Sequence, residues 1–68
     1  MDNAQGLNVQ MSLSEKWLRA KPLKKYLDAT RSMSGLTFVD RRWAAYGDWT
    51  LYVDESGNYW EEFDSIGD

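Results

Sequence analysis

The chain has no cysteine, no histidine, a single proline and no long apolar run. Without cysteine there is no disulfide, and without cysteine or histidine there is no thiolate or imidazole metal site. The same gap removes ordinary nucleophilic catalysis, which sets a base beside a serine or cysteine. Five glycines stand alone at turns or near chain ends, so no glycine-rich phosphate loop can form. The opening MDNAQGLNVQM carries neither a basic region nor an apolar core, unlike a secretory signal. No stretch approaches the roughly 18 apolar residues of a membrane-spanning helix. These absences lead to the expectation of a soluble, cytoplasmic, non-enzymatic protein with no cofactor and no metal.

Carboxylates are present but dispersed. Glu61 and Glu62 are adjacent on a strand pattern, and neighbouring strand residues point to opposite faces, so the two do not converge on one substrate. Asp54, Glu55 and Asn58 could offer oxygen to calcium, but their spacing is not that of an EF-hand, and turn chemistry accounts for Asp, Gly and Asn there.

What the chain does have is rings. In 68 residues there are four tryptophans, four tyrosines and two phenylalanines. A chain this short buries only roughly 60% of the surface its unfolded form exposes, and each ring can bury about 150–250 Å². Aromatics are therefore the efficient way to build its core.

Charge is divided unevenly. The net charge is −3, but Lys16, Arg19, Lys21, Lys24, Lys25 and Arg31 make residues 1–33 basic. Residues 34–68 hold Arg41 and Arg42 against eight acids. Such an asymmetry orients an approaching partner.

Residues 1–11 read as a flexible N-terminal arm in which Leu7 and Val9 alternate and could add an edge strand. Residues 12–64 read as a single α+β domain, and residues 65–68 as a short acidic tail. Ser12 and Glu15 are spaced as a capping box, opening a helix that turns Leu13, Trp17 and Leu18 inward. Pro22 interrupts it, producing either one kinked helix or a helical hairpin whose second helix spans 22–32, with Gly35 as its stop. From Leu36 the apolar period changes to two. LTFVDRRWAA, DWTLYVD and NYWEEF predict a three-stranded antiparallel meander packed against the helices.

DESGN predicts a hairpin loop with a left-handed glycine, pairing Val53 with Tyr59, Tyr52 with Trp60 and Trp49 with Phe63. Ala45-Tyr46-Gly47 predicts a similar loop, pairing Trp43 with Trp49. Together the turns sort the sheet into two faces. A first face, to be covered by helices, collects Val39, Arg41, Trp43, Trp49, Leu51, Val53, Tyr59, Glu61 and Phe63, with Trp49 central to the core. A second collects Leu36, Phe38, Asp40, Arg42, Thr50, Tyr52, Trp60 and Glu62. One slipped residue would rearrange both sets.

The second face has more rings than a core needs, and interface centres favour Trp, Tyr and Arg. Phe38, Arg42, Tyr52, Trp60 and Glu62 are accordingly the expected partner-binding residues of a small protein-binding regulator or inhibitor. The acids Asp48, Asp54, Glu55, Glu61, Glu62, Asp64 and Asp68 extend the idea to imitation of nucleic acid on an enzyme that handles it. The alternative is a nucleic-acid-binding module using Arg19, Lys21, Lys24 and Lys25. A solvated helix face accounts for those cations as well, and the acidic half would repel phosphates. Self-association through the aromatic face is a further expectation.

Overall fold

The computed structural model describes residues 11–66. The arm residues 1–10, with Leu7 and Val9, and the last two residues of the tail lie outside them. Helix α1 spans Leu13–Arg19 and begins with the capping box: the Glu15 amide donates to Ser12 Oγ at 3.1 Å, and the Ser12 amide to Glu15 Oε1 at 3.2 Å. Two of the amides that a helix start leaves unpaired are thereby satisfied. Pro22 forces Lys21 out of helical backbone. The chain extends through Ala20 and forms the two-residue strand β1, Lys21–Pro22, before helix α2 spans Leu23–Thr30. Extended Pro22 is the N-cap of α2, so the proline that ends one helix leads into the next.

The stop of α2 differs from expectation. Arg31, at φ 61°, adopts the left-handed conformation and donates its amide to the Leu27 carbonyl at 2.7 Å. Gly35, at φ 86°, turns the following loop instead. The Tyr26 hydroxyl ties that loop to α2 by donating to the Ser34 carbonyl at 2.7 Å.

Strands β2 (Thr37–Ala44), β3 (Gly47–Val53) and β4 (Tyr59–Ser65) form the antiparallel meander. Strand β1 joins its β4 edge in parallel, Lys21 beside Trp60, giving a four-stranded mixed sheet in the order β1-β4-β3-β2. The β3–β4 hairpin has the expected register, with Tyr52 opposite Trp60, Trp49 opposite Phe63, and Gly57 at φ 88° in the loop.

The β2–β3 hairpin does not. Ala44 pairs with Gly47, Trp43 with Asp48 and Arg42 with Trp49, so the loop holds two residues, not three. Gly47 is no left-handed loop residue. It is buried in β3, where a Cβ would collide with the Asp64 carbonyl oxygen. Its lack of a side chain serves close strand approach, and the register slips by one as a result. Asp40 and Arg42 therefore move to the first face, and Arg41 and Trp43 to the second. A bulge at Val39 then restores the phase, and Phe38 stands opposite Tyr52 on the second face.

The apolar core of the described residues is small: Trp17, Leu23 and Leu51. Fully burying a Leu-sized side chain contributes about 1.5–3 kcal/mol. Trp49, expected at the centre of the core, remains 36% exposed, tilted against Phe63 with ring centres 5.0 Å apart.

Trp17 clamps α1 to β2. Its indole donates to Asp40 Oδ2 at 3.0 Å, while the Arg42 guanidinium lies 4.6 Å from the ring centroid. Asp40 and Arg42 thus serve as docking points for a helix, the consequence of the slipped register.

Candidate functional site

Register arranges the second face as three rows crossing β2, β3 and β4. One row is Phe38–Tyr52–Trp60, the next Arg41–Thr50–Glu62, and the last Trp43–Asp48–Asp64. Of the residues expected to bind a partner, Phe38, Tyr52, Trp60 and Glu62 share this face, and Arg42 does not. Arg41 takes its place, and Trp43 joins from the opposite set. Sequence reasoning missed both, although a two-residue Ala45-Tyr46 turn with Gly47 inside the strand would have found them.

The aromatic row is unevenly available. Phe38 is 57% exposed. Trp60 is half-buried and engaged: its indole donates to Asp54 Oδ2 at 3.0 Å, the Tyr26 ring lies 5.3 Å away, and Lys21 Nζ sits 5.9 Å above it. Trp60 thereby ties the β3–β4 loop to α2 and β1.

The opposite end is both apolar and acidic. Trp43 is 73% exposed. The carboxylates Asp48 and Asp64 face each other directly, and Glu62 follows on the same face of β4. Like charges opposite one another destabilise a sheet. Arg41 compensates part of this, with Nε 3.3 Å from Asp48 Oδ2 and its guanidinium 5.8 Å from the Trp43 ring. One cation against three carboxylates leaves this end negative.

Two other carboxylates are held in charged form by donors. The Asn58 amide and the Trp60 indole, followed by the Ser56 amide, hold Asp54 below the usual carboxylate range. These bonds occupy the carboxylate considered above for calcium. The Trp17 indole, with the Arg41 amide and the Arg42 charge, lowers Asp40 likewise. Burial raises Glu61, which stands on the first face opposite Leu51. Among the described residues no cluster of His, Cys, Asp or Glu is arranged to hold a metal ion, and no helix is long and apolar enough to cross a membrane.

The cations of the alternative reading separate. Arg19 and Lys21 line a groove of about 320 Å³ with Met11, Gly57, Asn58 and Tyr59. Lys24 instead pairs loosely with Asp28 at 4.0 Å, and Lys25 is exposed. Compared with known proteins, the chain matches no family model, no curated protein and no solved structure.

Proposed function

We propose that the protein is a small, non-catalytic, cytoplasmic regulator or inhibitor that binds another protein through the second face of its sheet. The contact residues are Trp43, Phe38 and Arg41, together with the carboxylates Asp48, Glu62 and Asp64. Tyr52 and Trp60 back the aromatic end.

The observation that carries this reading is an exposed Trp43 in one row with two carboxylates facing each other. Neither feature helps a marginal domain fold. The tryptophan leaves apolar area in water and the acids repel. A partner with a basic, partly apolar surface relieves both at once. Such surfaces belong to proteins that grip phosphate backbones, and a carboxylate array offered to one of them competes with nucleic acid.

The test is affinity capture from native lysate with the wild-type chain, Trp43→Ala and Asp64→Lys, in the presence and absence of heparin. The reading expects partners that both substitutions lose and that heparin displaces. Capture unchanged by both variants would remove the face from consideration. Capture that is lost in the variants yet indifferent to heparin would remove the charge mimicry alone.

A second reading has one observation in its favour, the groove that brings Arg19 and Lys21 beside Asn58 and Tyr59. As a single-strand binding site it requires a gel shift at low salt that Lys21→Glu and Arg19→Glu both abolish.

A further inference from the structure

The first face carries charged groups without ion-pair partners among the described residues, away from the acidic row. There α1 and the sheet enclose a groove of about 370 Å³ lined by Ser14, Trp17, Leu18, Arg42, Trp49 and Glu61. Its rim is apolar where water should be: Leu18 is 83% exposed and Trp49 36% exposed. Its charges are one cation and one carboxylate, on opposite sides of β3. Arg42 stands on β2 opposite Trp49, and Glu61 on β4 opposite Leu51. The intervening strand keeps them apart. Arg42 lies over the Trp17 ring near Asp40, and among the described residues neither Arg42 nor Glu61 has an ion-pair partner within 4.0 Å. Glu61 is half-buried and has lost water without gaining a donor among those residues.

We propose that this groove is the contact surface of a symmetric homodimer, in which Arg42 of each chain pairs with Glu61 of the other. A two-fold axis close to Trp49 exchanges the cation of one chain for the carboxylate of its mate, so each groove supplies what the other lacks. Isologous contacts have this self-complementary character. The same operation brings Trp49 against Trp49 and closes Leu18 over apolar surface. That is the composition of an interface centre: rings and an arginine with the remaining charges paired. It also addresses the shortage of core, because a domain with three buried apolar residues among those described gains much from covering a fourth and fifth.

Strand pairing through the outer edge of β2 is a less favourable route to a two-fold dimer. The Val39 bulge breaks the edge, and centring the pairing on Arg41 or Arg42 sets an arginine against its own copy.

This inference does not depend on the second-face reading, and charge exchange tests it. Sedimentation equilibrium at concentrations from micromolar to several hundred micromolar should show the wild-type chain as a dimer. Arg42→Glu and Glu61→Arg should each be monomeric, with association weakened on the order of 100-fold. Mixing the two variants restores both ion pairs. The glutamate introduced in one variant meets the arginine introduced in the other, and the unaltered Glu61 of the first meets the unaltered Arg42 of the second. The mixture should therefore sediment as a heterodimer. Leu18→Glu, a change at an exposed position, should also give monomers, with circular dichroism reporting an unaltered fold. A wild-type chain that stays monomeric throughout overturns the proposal. A dimer that survives Leu18→Glu and both reversals overturns it too, as does a mixture that fails to associate while both variants are folded. Trp43→Ala and Asp64→Lys should leave the dimer intact, so a failure on one face is not confused with failure on the other.

Discussion

At the scale of single residues, Asp54 shows how much one carboxylate organises. It receives the Ser56 and Asn58 amides at 2.9 Å and the Trp60 indole at 3.0 Å, joining the β3–β4 loop to an aromatic of the sheet. Both Asp54 and Asp40 have folded pKa values below their unfolded value of about 3.9. Their stabilisation is therefore complete above that value and is lost as pH falls through the folded values. Glu61 has the opposite sign. In the dissociated chain its charged form carries a burial cost, complete above its raised folded value and relieved as pH falls through it. Thermal melts between pH 2 and 7 should show stability falling below about pH 4, and Asp40→Asn with Asp54→Asn should flatten that acid limb. An acid limb unchanged by both substitutions would assign the loss to other groups. Gly47 and Gly57 separate two uses of glycine. Gly57→Ala meets no atom within 4 Å and should lose about 1–2 kcal/mol to the left-handed backbone alone. Gly47→Ala must push β4 away from β3 and should abolish cooperative unfolding in urea.

At the scale of elements, α1 is too short to be stable on its own. It holds because its capping box starts it and Trp17 anchors it to Asp40 and Arg42. Ser12→Ala should cost about 1 kcal/mol by urea denaturation. Trp17→Phe keeps a ring but removes the donor to Asp40, and should lower the urea midpoint because the carboxylate loses a charge-assisted bond. The capping box, the Pro22 interruption and the β3–β4 register were legible in the sequence because each rests on residues close along the chain. The proposed partner-facing surface was legible only in part. Phe38, Tyr52, Trp60 and Glu62 were placed on one face, whereas Arg41 and Trp43 depended on how many residues the β2–β3 loop holds. That number is decided by contact between Gly47 and Asp64, 17 positions apart.

At the scale of the whole molecule, few residues hold the fold and many rings remain outside it. Leu51→Ala should cost about 2–5 kcal/mol and Trp17→Ala about 3–5 kcal/mol, a large share of what any small domain possesses. Trp49→Ala, at a position one-third exposed, should cost the dilute chain clearly less than Trp17→Ala, by comparison of urea midpoints. Equal losses would show Trp49 to be as integral as the buried indole. The two faces divide the remaining chemistry: one is negative around Trp43, the other carries the self-complementary pair Arg42 and Glu61.

The sequence by itself determined helical structure ahead of the strands, the break at Pro22, the meander and the loop at Gly57, all of them matters of local backbone preference and hydrophobic period. Only the tertiary structure decided that Gly47 packs inside a strand, that Val39 bulges, and that Lys21–Pro22 pairs with β4. The physical reason is that a glycine permits a left-handed turn and a close approach equally well. Which one it serves depends on the strand that comes to lie beside it, and with that choice Arg42 and Trp43 exchange faces.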